Sequence, residues 1–347
     1  MRLMKFIALA ALIFFLAGCE KQPQEFQHTT LEFGTLIDIS LYDTSPETAQ
    51  KAFDELDQDF AYMHKAWSPW VNGALKRINN LIPTGKSFSV APSVLPLIEN
   101  SVWLTEKTNH LYNPTIGNLI NLWQFHRYKE KGIHPPDAAE IHKLVAANPK
   151  MEDLHLDGIR MYSDNPAVQL SFGAYAKGYG IELAMKKLQA MGIKNAIINA
   201  GGDLTAIGRH GDRPWRIGIR HPRKKDQVIA SLETSGTESV FTSGDYERFY
   251  MYKGKRYHHI LDPRTGYPTE GTESVTVVFD NAGVADAAAT AMFVAGPDGW
   301  LDICKNLGIT QAMLIDAKGT IHITPALKKR IQLNPDPGTT IITTPPL

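Results

Sequence analysis

The stretch Ala285–Ala291, ADAAATA, carries one carboxylate, Asp286, and one hydroxyl, Thr290, four residues apart. On a helix, positions i and i+4 lie one above the other on a single face. The surrounding alanines are too short to shield the two oxygens from a bulky partner. Two readings follow: a pair of oxygen ligands facing a charged partner, or a close-packed Ala helix whose Asp interacts with the N-terminal dipole. Three further stretches carry chemistry. NAGGD (199–203) puts two glycines between a strand and a polar segment, where a backbone can approach a ligand closely. HHILDPRTGYP (258–268) sets His258, His259 and Asp262 just before a Pro-Arg-Thr-Gly turn. AYAKGYG (174–180) opens a helix with small residues and Lys177, and free N–H groups beside a cation suit a phosphate.

These residues need elements to hold them. Ser45 and Pro46, followed by Ala49, Phe53, Leu56 and Phe60 at helical spacing, predict a helix over 46–65 with Ser45 as N-cap. Residues 93–109 and 137–147 read as two more helices. FGAYAKGYGIELAMKKLQAMG predicts a helix with Ala174, Gly178, Ile181, Met185 and Leu188 on one stripe and Gly192 as its stop. LEFGTLIDISLYD (31–43) reads as one strand-like run, and KNAIINAGGDL as a strand entering a glycine turn. WRIGIR alternates like a half-exposed strand. SVTVVFD (274–280) is a strand feeding a helix from Val284 to Phe293, and ITQAMLIDAKGTIHI is a final hairpin turning at Lys318-Gly319. Residues 331–347 read as an irregular Pro/Thr-rich tail. No repeat or linker interrupts 31–330, and strands and helices mix without strict alternation. The expectation is α+β, a single compact catalytic domain.

The chain has 347 residues with 36 basic and 36 acidic side chains, a balance that argues against a general polyanion or nucleic-acid binder. Residues 1–18 stand apart from the fold. Arg2 and Lys5 precede an apolar run from Phe6 to Leu16, too short to remain as a membrane span. The run ends in Leu16-Ala17-Gly18-Cys19, which resembles the bacterial lipobox. That resemblance implies a cleaved signal, a lipidated Cys19 carrying palmitate, and a polar tether over 19–30. The expected location is the cell membrane, lipid-anchored and facing the periplasm, with inner or outer membrane left open. Cys304 is then the only remaining thiol, so no intramolecular disulfide forms.

In combination, SFGAYAKGYGIE, NAGGDL, TSGDYERF, HHILDPRTGYP and ADAAATAMFVAG resemble, in order and rough spacing, the FAD:protein FMN transferases, the ApbE family. The resemblance extends from Phe33-Gly34-Thr35 to the final hairpin. It implies a Mg²⁺-dependent enzyme that splits FAD, its substrate, at the pyrophosphate. FMN passes to a Thr or Ser hydroxyl of a target protein as a phosphoester, and AMP leaves. By the same resemblance, Mg²⁺ is held by Asp286, Thr290 and the backbone carbonyl of Ala174. Hard oxygen ligands suit this ion. His259 and Asp262 fall on the catalytic segment, with His259 a general base of ordinary pKa near 6.5. Leu261 and Lys177 match positions that contact the flavin nucleotide. The implied acceptor is a subunit of a Na⁺-translocating quinone reductase, an Rnf-type complex or another periplasmic flavoprotein.

Other FAD-contact positions depart from the family pattern. Phe33 stands where Met is usual. Leu111, Tyr112 and Asn113 occupy an Ala-Phe-Asp triplet, and Ser171 replaces an Asp. Flavin stacking falls to Trp67 or Trp70. These changes predict altered FAD affinity with activity kept. Two other functions fit the same residues: an FAD pyrophosphatase using water as acceptor, and a non-catalytic periplasmic FAD-binding lipoprotein.

Overall fold

The computed structural model describes residues 24–130 and 132–347; the signal segment and Cys19 lie outside them. Nine strands form the main sheet, and their spatial order is their chain order. They are β1 (Glu25–Glu32), β2 (Thr35–Tyr42), β3 (Asn195–Ala200), β4 (Asp203–Ile207), β5 (Glu238–Gly244), β6 (Thr272–Phe279), β7 (Gln311–Asp316), β8 (Ile321–Ile323) and β9 (Ile341–Thr343). Each neighbouring pair is antiparallel except β8 and β9, which run parallel. Such a meander keeps consecutive strands adjacent, so every long insertion leaves and re-enters the sheet at one place. The helices that carry chemistry arrive in two of those insertions.

Between β2 and β3 lie α1 (Pro46–Trp67), α2 (Ala74–Leu81), α3 (Leu95–Lys107), α4 (Gly117–Trp123), α5 (Ala138–Ala146) and α6 (Ala176–Ala190). Ser45 caps α1 by accepting from Thr48 N at 3.1 Å, and Asp137 caps α5 by accepting from Ala139 N at 2.7 Å. Between β6 and β7 runs α7 (Ala282–Leu307), capped by Asn281 and broken at Gly296, whose φ of 69° precedes Pro297. Its alanines 285, 287, 288, 289 and 291 are all buried, which lets the helix lie close against β5 and β6.

Three apolar clusters follow from this layout. The largest lies between the inner face of the sheet (Ile37, Ile198, Val275) and α1, α3, α6 and α7. A second covers the outer face of β4–β7 with a three-stranded sheet that includes 216–220 and 228–233. The third packs Trp123 and Phe125 against the hairpin 249–258 and Leu261.

The α+β, single-unit reading matches this fold, and most expected elements are present near their expected bounds. Four details differ. Residues 31–43 turn back at Phe33 and Gly34, both at positive φ, and make a hairpin instead of one strand. The expected tether contributes residues 25–30 to β1, because Phe26, His28 and Thr30 alternate toward α1. The tail forms Gln332–Leu333 and β9, since its Ile-Ile-Thr run adds a strand to the edge of the sheet. The Ala-rich helix begins at Ala282 and runs well past Phe293.

Candidate active site

The first turns of α6 and α7 meet against β4 and β5. Gly178 N–H donates to Asp286 Oδ2 at 2.9 Å. α6 begins at Ala176 with Tyr175 as its N-cap, so Gly178 is the third residue and its N–H has no acceptor within the helix. Asp286 supplies the acceptor that this N–H lacks within its own helix. Glycine is required at 178: a Cβ there would fall 2.8 Å from Asp286 Cβ and run into the Ala282 carbonyl oxygen. Thr290, one turn further along α7, has its Oγ1 3.1 Å from Ser243 Oγ on β5. Asp286 is 6% exposed, and burial pushes its carboxyl up to about 7 against the pull of Lys177, with Asp203 adding to the rise. A buried carboxylate in this state gains from a cation.

Lys177, whose charge acts on Asp286, makes its ion pair with Asp203. Burial opposes its charge, but Asp203 and Asp286 together raise its pKa. Asp203 Oδ1 also accepts from Thr242 N at 2.7 Å. Among the described residues no group of three or more His, Cys, Asp or Glu forms a metal cluster. A cation here would be held by one carboxylate and by neutral hydroxyl and carbonyl oxygens. That donor set fits Mg²⁺, which keeps water and phosphate in its other positions.

His259 N–H donates to Arg248 O at 3.0 Å, tying the His258–Asp262 segment to the Thr-Ser-Gly-Asp-Tyr-Glu-Arg loop. Its Nδ1 is buried without a protein partner. Burial, then the charges of Arg248 and His258, hold its pKa well below the ordinary value, so the ring is a neutral acceptor. His258 points the other way, as alternation in an extended segment requires. It is not idle there. Its Nε2 bonds Thr269 O at 2.8 Å, its Nδ1 accepts from Ile260 N at 3.3 Å, and its ring meets Phe293 edge-on. Asp262 is committed to its own turn: both carboxylate oxygens accept from Arg264, and its carbonyl accepts from Thr265 and Gly266 N–H. That places Asp262 as an organiser of the turn, not a base. Trp123 Nε1 donates to Gly266 O at 2.8 Å and pins the same turn from beneath.

The nucleotide-side expectations divide. Trp67 is 6% exposed, with Nε1 on Ser93 O and its ring stacked on Phe33, whereas Trp70 is 44% exposed and offers an open face. Trp70 is the more accessible of the two, although its Nε1 donates to Asn121 Oδ1 at 3.0 Å and its ring lies 5.4 Å from that of His126. Phe33 packs inward against Trp67 and Phe60, close to Gly180 of α6, which makes it part of the wall. Tyr112 is buried with its hydroxyl 2.8 Å from Ser101 Oγ, so it serves the core. Asn113 turns into its loop, accepting from Thr115 N at 3.0 Å and donating to Pro149 O at 3.1 Å, which leaves it unfit to replace an Asp toward ligand. Leu111 is half-buried on the main core, and the Leu261 side chain sits in the third cluster, leaving its backbone for contact. Ser171 is buried and donates its N–H to Pro114 O at 2.8 Å, so these two segments run side by side.

Asp203 and Ser243 were not singled out as site residues, although both stand in motifs the sequence displays, NAGGD and TSGDYERF. Asn79 carries no sequence signal. It is buried and pairs both its oxygen and its nitrogen with the backbone of Leu170, holding the segment that leads to Ser171.

A family model described as ApbE family matches residues 33–314. The chain belongs to the ApbE family. An FAD:protein FMN transferase of Rhodobacter capsulatus is 38% identical over 312 residues, which are 89% of this chain and 58% of that longer relative. An FAD:protein FMN transferase of Vibrio cholerae is 28% identical over 316 residues, covering 89% of this chain and 92% of the relative. Among solved structures, the ApbE protein of Thermotoga maritima superposes with a TM-score of 0.80 at 29% identity, covering 88% of this chain and 99% of that one. The flavinyl transferase ApbE of Pseudomonas stutzeri, in its apo form, gives 0.77 at 27% identity over 90% of this chain and 98% of that one. The ApbE-like α+β fold is therefore shared across nearly the whole described chain.

Proposed function

We propose that this chain is a Mg²⁺-dependent FAD:protein FMN transferase. The acceptor Thr or Ser oxygen attacks the FMN phosphorus of FAD, the bond to the AMP phosphate breaks, and AMP leaves with the electron pair. The acceptor proton goes to His259 Nδ1, the buried unpartnered nitrogen of a neutral ring. Asp286, Thr290 and the Ala174 carbonyl would hold the ion, which when bound neutralises phosphate charge. Lys177 adds a fixed positive charge at the start of α6, and Trp70 offers a stacking face for the flavin. The observation that carries the reading is the buried Asp286 carboxylate, held by the Gly178 N–H and one turn before Thr290 on α7. That bond fixes the carboxylate's orientation toward the start of α6.

The acceptor is a periplasmic flavoprotein subunit, of the quinone-reductase or Rnf type that the family resemblance implies. The enzyme is anchored through Cys19 and faces the periplasm. Support for the anchor is the Leu-Ala-Gly-Cys sequence after an apolar leader. Incubating the purified protein with FAD, Mg²⁺ and a candidate acceptor domain tests the activity. AMP release together with a fluorescent acceptor band is the expected result. AMP with free FMN and a dark acceptor would make it a pyrophosphatase, and tight FAD binding without AMP would make it a carrier.

A further inference from the structure

Asp203 has no assigned part in the site, yet its carboxylate joins three elements. It is the first residue of β4, directly after Gly201 and Gly202, which have φ of 67° and 103°. A Cβ on Gly201 would collide with Thr35 Oγ1, so β2 presses on this turn and fixes where Asp203 emerges. The side chain points to the inner face and is buried. One oxygen takes the Thr242 N–H, next to the Ser243 that bonds Thr290. The other takes the Lys177 ammonium. Lys177 is followed directly by Gly178, whose N–H is on Asp286, and Asp286 is the second carboxylate acting on this ammonium.

We infer that Asp203 is a positioning residue that keeps the Lys177 ammonium away from Asp286, leaving Asp286 open to a divalent cation and Lys177 aimed at phosphate. This rests on the cation reading given above. A buried ammonium deprived of its partner carries a heavy penalty and turns to the next carboxylate within reach. Here that is Asp286, so loss of Asp203 closes the cation's place with a lysine.

Asp203→Asn tests this, because an amide oxygen still accepts from Thr242 N while the ion pair is lost. Binding of Mn²⁺ alone, followed by loss of the free-ion EPR signal, reads the site without FAD or turnover. Asp203→Asn should weaken Mn²⁺ binding roughly tenfold, within the range of measured pair couplings. The double variant Lys177→Met/Asp203→Asn should return to within about twofold of the parent, while its KM for FAD stays raised. Thermal melts monitored by circular dichroism check that both are folded. Parent-like Mn²⁺ binding in Asp203→Asn would overturn the inference, as would a double variant as weak as the single. If Asp286→Asn itself binds Mn²⁺ like the parent, the cation reading falls and this inference with it.

Discussion

Gly178 N–H and Asp286 Oδ2 lie 2.9 Å apart across 108 residues of chain, and this contact sets the spacing of α6 and α7. No side chain fits at 178. Gly178→Ala should cost about 1–3 kcal/mol through overpacking and should sharply lower FAD cleavage, because the new Cβ pushes α7 and the Asp286 carboxylate away from the N–H that orients it. Denaturant melts and AMP release on the same preparation check both halves.

The two adjacent histidines should separate cleanly. His259→Ala should lower kcat by roughly 10²–10⁴-fold while FAD still quenches on binding, as loss of a general base requires. His258→Ala should instead lower stability, since it strips two hydrogen bonds and the contact with Phe293. Stopped-time AMP assays and melting curves on both variants distinguish the roles. Loss of FAD binding in His259→Ala would move this residue into the nucleotide pocket.

Acid should loosen the same segment. His258 is neutral in the fold: burial lowers its pKa, and its two nitrogens act one as donor and one as acceptor. As pH falls below the unfolded value of about 6.5, the unfolded chain takes up the proton first, so stability is full above that pH and declines below it. His259 titrates with the same sign. Melting temperatures of the parent and of His258→Asn at pH 7.5 and at about pH 5.5 should show a smaller acid loss in the variant.

Cys304 should be inert. It is fully buried in the main core and burial pushes its thiol up to about 12, leaving no reactive thiolate at neutral pH. A thiol reagent should label the native soluble domain only at the rate of global unfolding, and at once in denaturant. Fast native labelling would contradict the packing of α7.

The chemistry of this site was more legible in the sequence than its mechanics. Type and spacing drew attention to Asp286, Thr290, Lys177 and His259 but left open whether they were structural, and their roles came from the family resemblance. Asn113 and Tyr112 misled because their motif position is kept while their side chains are satisfied inside the loop and the core, a matter of rotamer and partner. Asn79 was invisible, since its contact with Leu170 spans 91 residues and no local pattern encodes it. Elements with strong periodicity, such as α1 and α6, were read to within a few residues. The hairpin at Phe33-Gly34 was not, because a bulky residue at positive φ carries no turn signal of its own.

The account stands most directly on Asp286 as the charged ligand of a cation that faces two phosphates. AMP release from FAD, measured across a Mg²⁺ titration for the parent and for folded Asp286→Ala, tests it. The variant should lose at least about 10²-fold in rate and show no saturable dependence on Mg²⁺. Mg²⁺-dependent turnover within a few-fold of the parent would contradict the site.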